Sequence, residues 1–309
     1  MEGLRRGTLD ANSDQVAEQA GVPAAPRVRI SVVVPFYNSE RFLSKCLDGL
    51  CGQSFPRDQY ELILVNNNST DLSRNVAAGY SDVILLDQPV SGSYAARNMG
   101  IRHARGEIIA TIDPDCTPDR DWLAQIDKGM KDPTCTILIG HQRHASASPG
   151  LELLEMYEAE KVAYVTGRQL KDLYFGYTNN MAFRRSLFDT IGFFPERVRG
   201  GDTMFVRLAV DRLGCDGVRF NCDMKTTHLE VDTLGAYYNK RAVYGKSNER
   251  LSHVMKFRPL RNVERWTVFR TLAKRQRLSW KKRLLLLALL APGALLYEAG
   301  RRRGMFGQS

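Results

Sequence analysis

Ile30-Ser31-Val32-Val33-Val34, followed by Pro35-Phe36-Tyr37-Asn38, is the stretch that decides the fold. A β-branched, nearly all-apolar run of this length reads as a strand buried on both faces, the parallel-sheet kind, with Pro35 stopping it. Just downstream, Ser39 is placed to cap a helix in which Phe42, Leu43, Cys46, Leu47 and Leu50 recur at helical spacing. The same grammar then repeats. Leu62-Ile63-Leu64-Val65 reads as a strand, Ser69-Thr70-Asp71 as a helix start, Val83-Ile84-Leu85-Leu86 as a strand, 92–104 as a helix and Ile108-Ile109-Ala110-Thr111-Ile112 as a strand. Strands alternating with helices of this length predict an α/β domain with a mostly parallel central sheet covered on both faces. Beyond Asp115 the pattern loosens into a helix near 119–130, a strand at 136–139, an amphipathic helix around 150–163, a strand at 181–183, a helix over 203–213, a strand at 218–220 and a Tyr-rich helix over 233–250.

Working outward from this core, residues 1–28 are small, polar and aperiodic and read as a flexible leader, residues 29–255 as one catalytic-size domain, and residues 256–309 as a separate basic tail. The chain of 309 residues has a formal charge of +10, but that charge is unevenly placed. The tail holds 14 of the 44 Lys/Arg and only Glu264 and Glu298 of the 34 acidic residues, so it carries +12 and the rest of the chain −2. A nucleic-acid reading therefore rests on the tail alone, against a slightly acidic body. Within the tail, 284–297 is almost wholly apolar, contains Pro292-Gly293 and lies between Lys281-Lys282-Arg283 and Arg301-Arg302-Arg303. Fourteen residues are too few for a simple crossing, which needs about 20, so the tail reads as an interfacial or re-entrant membrane segment. The alternative is a hydrophobic helix docked on the domain. The six cysteines form no C-x-x-C pair and no secretory signal opens the sequence, so a reduced, cytoplasmic chain without a zinc cage is expected.

In an open α/β sheet, ligands lie beyond the carboxyl ends of the strands. The loops there read Pro35-Phe36-Tyr37-Asn38, Asn66-Asn67-Asn68-Ser69-Thr70-Asp71 and Asp113-Pro114-Asp115. Two carboxylates in a D-x-D at a strand end can hold a divalent cation, and that cation can neutralise a diphosphate, although acidic turns are also common for structural reasons. The motif has company: Ala96-Arg97-Asn98-x-Gly100 and Gly106-Glu107-Ile108-Ile109 upstream, Asn179-Asn180-Met181-Ala182-x-Arg184-Arg185 and Gly200-Gly201-Asp202 downstream. In this order, with P-x-Y-N and N-S-T-D, the set closely resembles the family 2 glycosyltransferases, nucleotide-diphospho-sugar transferases of the GT-A fold, over roughly residues 29–250.

The resemblance implies roles residue by residue. Pro35 and Tyr37 match the loop lining base and ribose, Asn67 the base reader, and Arg97 a residue near base and phosphate. Asp113 matches the ribose-contacting carboxylate, Asp115 and His228 the ligands of a Mg²⁺ or Mn²⁺ ion, Asn179 and Asn180 residues near the donor sugar, and Asp202 the acceptor-activating base. Plainer readings make Arg97 a solvated helix residue, Asp202 a helix cap and His228 a core histidine bonded to a backbone carbonyl. Two departures stand out: Asn66-Asn67 where the family usually carries at least one Asp, and Gly201 where an acidic residue usually precedes the base. An Asn carbonyl can still accept the uracil N3–H, so a UDP-sugar stays the favoured donor. The processive synthases' Q-x-x-R-W has only Asn262-Val263-Glu264-Arg265-Trp266 as its nearest counterpart, which favours transfer of a single sugar.

The expected activity is thus inverting, metal-dependent transfer of one sugar to an acceptor hydroxyl on a lipid-linked or cell-surface glycan precursor. The enzyme is expected to sit at the cytoplasmic face of an anionic membrane. The rival readings are a catalytically silent nucleotide-binding module, prompted by Asn66-Asn67, and a nucleic-acid binder using the tail.

Overall fold

The computed structural model describes residues 28–196 and 199–306, so the leader expected over 1–28 lies, Val28 apart, outside the described residues. Among the described residues, eight strands form one sheet: β1 (Ile30–Phe36), β2 (Tyr60–Asn66), β3 (Ile84–Asp87), β4 (Ile108–Thr111), β5 (Cys116–Pro118), β6 (Ile137–His144), β7 (Met181–Arg184) and β8 (Val218–His228). Ten α-helices among the described residues flank it: α1 (Leu43–Cys51), α2 (Ser73–Ala78), α3 (Ser93–His103), α4 (Trp122–Gly129), α5 (Pro149–Arg168), α6 (Ser186–Ile191), α7 (Gly201–Leu213), α8 (Leu234–Ser252), α9 (Asn262–Arg275) and α10 (Trp280–Phe306). The strand order is β3-β2-β1-β4-β7-β6-β8-β5. β1 to β4 run parallel, β7 is antiparallel to both its neighbours, and β5 closes the far edge antiparallel to β8.

Every residue of β1 and β2 is buried, as the unbroken apolar runs demand. A period of two is concealed inside those runs. Val33, Ile63, Val65 and Ile109 join the core under α3 and α7, while Val32, Val34, Leu62 and Leu64 join the core under α1 and α4. Burying such a side chain contributes about 1.5–3 kcal/mol, so the two faces hold most of the fold together. Gly100 lets α3 settle against the sheet, since a Cβ there would lie 2.5 Å from a Val33 methyl.

Three local expectations need correction. β1 runs through Pro35 to Phe36, because Pro35 pairs opposite Val65 without needing an N–H there. Ser39 does not cap α1: its hydroxyl bonds the Tyr37 carbonyl, and its own carbonyl accepts the first amides of a turn that leads into the helix at Leu43. The strand expected at 218–220 continues to His228 through a register shift against β6 between Gly140 and His141, and this extension carries His228 to the sheet's carboxyl edge.

The tail is not an appendage. Val268, Phe269, Leu272, Leu286 and Leu289 build a third core with Leu151, Leu154 and Tyr157 of α5 and Tyr237 of α8. Helix α10 passes unbroken through Pro292 and lies so close to α8 that a Cβ at Gly245 would overlap the Tyr297 carbonyl, and one at Gly300 the Ala242 carbonyl. Helix α10 has no break at Pro292-Gly293, where Gly293 lies against Tyr238 and Arg241 of α8. Leu284, Leu285, Leu295 and Leu296 point outward instead. By length and composition alone the helix Trp280–Met305, with an 18-residue window of mean hydropathy 1.4, would suffice to cross a bilayer. Three of the tail's 14 basic residues are ion-paired to the protein: Arg258 with Asp172 and Glu264, Arg275 with Glu160, Arg301 with Glu249 and Glu298.

Candidate active site

A cavity of about 1030 Å³ opens at the carboxyl edge of the sheet and runs toward the seam between α9 and α10. Five expected residues line it: Arg97 from α3, Asp113 from the loop after β4, Asn179, Asp202 from the first turn of α7, and His228 from the end of β8. Pro35, Tyr37, Asn67, Asp115 and Asn180 are not in its wall.

Arg97 is buried and ion-paired with Asp113, so it is not a solvated helix residue. Its guanidinium also lies over the Tyr94 ring, 5.5 Å from the centroid, and its Nε has no partner in the protein. Asp202 is half-buried at the second position of α7, past the N-cap Gly200, which rules out an N-cap role. Its Oδ1 accepts from Thr203 N at 2.8 Å, and its own N–H donates to the Tyr94 hydroxyl at 3.1 Å. Burial pushes the Asp202 carboxyl up, against the pull of the Thr203 amide and Arg97. The Tyr94 hydroxyl also bonds the carboxylate, and Asp202 meets the cavity with a basicity raised by burial.

Asp115 Oδ2 stands 3.6 Å from His228 Nε2, and with Cys116 Sγ these donors lie within 4.8 Å of one another. Burial, reinforced by Asp113, pushes Asp115 up to about 7. Burial and the Lys240 ammonium push His228 down to about 3, which keeps the ring neutral with a lone pair to give. Its Nδ1 meets no partner and no backbone carbonyl, so it is not a satisfied core histidine. The Cys116 thiol is pushed well up by burial and donates to Asp115 Oδ1 at 3.6 Å, so it orients that carboxyl. One carboxylate oxygen and one neutral imidazole suit Mg²⁺ or Mn²⁺, so the residues present fit such an ion.

The structure corrects the reading of Asn180. Its side chain is wholly buried, donating to His141 O (2.9 Å) and Met224 O (3.0 Å) and accepting from Trp122 Nε1 (2.8 Å), which ties β6, β8 and α4 together. Nothing remains to meet a sugar. Asn179, by contrast, lines the cavity with an unpartnered Oδ1. Asn67 donates to Gln88 O and Val90 O and accepts from Gly92 N, so its amide shapes the 88–92 loop. Asn66 donates to Asp87 at 2.8 Å and accepts from Ser69 N. Both Asn identities thus follow from local donors that a carboxylate lacks. Tyr37 is 59% exposed on the rim and Pro35 lies buried in β1.

Residues absent from the sequence reading also meet here. Tyr94 supports both Arg97 and Asp202, and its position three before Arg97 on one helix face was the available signal. Lys240 reaches His228 from the Tyr-rich helix α8. Deeper in, Glu158 binds Lys161, Arg241 and Tyr237. Tyr94–Arg97 and Glu158–Lys161 are each one helical turn apart, and long-range folding brings in the rest.

Residues 31–192 match the family described as Glycosyl transferase family 2. The glycosyltransferase AglE of Haloferax volcanii is 30% identical over 194 residues, which are 59% of this chain, and the chain spans 61% of that relative's length. Among solved structures, the mannosyltransferase PcManGT from Pyrobaculum calidifontis, in complex with GDP-Man and Mn²⁺, superposes with a TM-score of 0.64 at 21% identity, covering 92% of this chain and 88% of that one. The 1–349 segment of S. aureus TarS in complex with UDP gives 0.50 at 16% identity, covering 91% and 92%.

Proposed function

Because the chain belongs to glycosyl transferase family 2 and has the GT-A fold, we propose that it transfers one sugar from a nucleoside-diphosphate sugar, a UDP-sugar in first place, to an acceptor hydroxyl with inversion. The observation that carries this reading is the convergence of Arg97, Asp113, Asp202 and His228 on one cavity from four separate segments.

Asp202 removes the acceptor proton as the hydroxyl attacks the anomeric carbon in line. Its raised basicity suits that work, and Tyr94 and Thr203 hold it in place. Arg97, already desolvated and held by Asp113, orients the nucleotide. Asp115 and His228 would hold the divalent ion, which supplies neutralising charge for the departing diphosphate. A single displacement inverts the anomeric centre.

The far end of the cavity favours an amphipathic acceptor. Trp266, Phe269, Leu287 and Leu290 give it an apolar wall, and Arg265 and Arg241 add cationic points. This composition suits a lipid-linked, phosphate-bearing glycan precursor better than a free sugar. The outward leucines of α10, flanked by 281–283 and 301–303, support attachment to the anionic inner face of a membrane. The silent-module alternative loses its motive, since Asn66 and Asn67 serve the loops around them.

A thermal-shift screen of nucleotide sugars with Mn²⁺, paired with an assay for nucleoside diphosphate release, tests the activity. A donor at 100 times its Kd adds about 2.7 kcal/mol to stability. No stabilisation by any donor, and no release, would sink the enzyme reading. Flotation with anionic vesicles at low salt tests the attachment, and a chain that stays at the bottom of the gradient refutes it.

A further inference from the structure

The Lys240 ammonium lies 2.6 Å from His228 Nε2 and 3.4 Å from a Glu230 carboxylate oxygen. An ammonium can only donate, so at this distance Nε2 accepts, and the lone pair available there for an ion is already taken. An imidazole nitrogen has one such lone pair, so a metal and an ammonium cannot both hold it. The surroundings explain why a cation is kept at this spot. Asp113, Asp115 and Glu230 crowd one corner, and among the described residues Arg97 is given to Asp113. Lys240 supplies positive charge to the rest. Its four-carbon stem rises from α8, and its side chain is 30% exposed, so it has room to leave without moving the helix.

We propose that Lys240 is a tethered cation that holds the His228 nitrogen of the Asp115–His228 pair until a divalent ion displaces it, and so sets how tightly the pair takes that ion. Lys240 is a positioning residue, acting through His228 and the local charge. The inference rests on the assignment of Asp115 and His228 as the metal-holding pair, and the test separates the two.

Mn²⁺ is titrated into the full-length protein without nucleotide, at fixed ionic strength and neutral pH, with free Mn²⁺ read by its electron paramagnetic resonance signal. The proteins compared are wild type, Lys240→Met, Lys240→Gln and Asp115→Asn, each shown to be folded by its thermal transition. Removing a unit charge a few ångströms from the ion should tighten Mn²⁺ binding about tenfold in both Lys240 variants. Asp115→Asn should weaken it by about tenfold or more. A loss of stem packing alone would not raise metal affinity. Should Lys240→Met fail to fold, Lys240→Gln carries the test, because it keeps a donor for Nε2 without the charge. A gain of less than about threefold in a folded Lys240 variant, with Asp115→Asn still weakened, overturns the Lys240 proposal and leaves the metal pair standing. Unchanged binding in Asp115→Asn puts the ion elsewhere and overturns both.

Discussion

The rim after β2 and the wall of the cavity are both polar, but they are bonded in opposite ways. Around Asn66 and Asn67 nearly every side-chain donor and acceptor is satisfied within the protein. In the cavity wall, Arg97 Nε, Asn179 Oδ1, His228 Nδ1 and Arg241 Nε are buried and have no partner. Buried polar atoms are seldom left alone, because each orphan costs about 1–3 kcal/mol. A saturated network is a scaffold. An unsaturated one, gathered along a single cavity with carboxylates pushed up by burial, is a surface waiting for a ligand to complete it.

The strongest way to sharpen this contrast is Asp202→Asn. The amide keeps the shape and the bond from Thr203 but cannot take a proton, so transfer should fall by roughly 10²–10⁴ while donor affinity in a binding titration stays near wild type. A variant holding more than about a tenth of the wild-type rate would remove Asp202 from the role of base.

Next comes a paired comparison of neighbours. Asn180→Ala strips partners from Trp122 Nε1 and two buried carbonyls, and should cost about 2–4 kcal/mol, a Tm drop of about 5–10 °C. Asn179→Ala should leave Tm within about 2 °C and act on the donor KM instead. If the two variants melt alike, the scaffold-versus-site division fails at this position.

Asp115→Asn probes the cavity's charge through pH. A carboxyl whose folded pKa is raised to about 7 binds more protons folded than unfolded, so its contribution to stability is lost as pH rises toward 7. His228, pushed down to about 3, acts in the opposite sense below its ordinary value. In metal-free protein, Asp115→Asn should therefore gain on the order of 2–4 kcal/mol over wild type at pH 8 and little at pH 4, by urea unfolding. An equal difference at both pH values would argue against a buried, strained carboxylate.

The smallest effect belongs to the rim. Asn66→Asp removes the donor to Asp87 and sets two carboxylates face to face, which should cost about 1–2 kcal/mol at pH 7 and recover below pH 4. A loss that persists in acid would point to packing and not to charge.

How much of this was legible in the sequence divides along the same line. Periodicity and apolar runs locate β1 to β4 and their helices, because local pattern and burial agree there. Arg97, Asp113 and Asp202 are recognisable through the ordered motifs that carry the resemblance to the family, and not through periodicity. The motif Asn179-Asn180 could not be divided by inspection, since only the fold decides that one amide faces the cavity and the other Trp122. Tyr94 and Lys240 carry no motif of their own. Lys240 meets His228 through the packing of α8 against the extended end of β8, which no short-range pattern encodes. The docking of 256–306 was hidden likewise: a leucine-rich segment flanked by basic residues reads the same whether its apolar face meets lipid or helix α8.

The glycine seam between α8 and α10 acts as a keyway. With Gly245 against the Tyr297 carbonyl and Gly300 against the Ala242 carbonyl, sliding α10 along its axis by even one residue would drive a Cβ into a backbone oxygen. Helix α10 therefore has one permitted height. Its outward leucines stand at a set distance from Lys240 and the cavity mouth, so any surface that takes them up is gauged against the site by the protein itself.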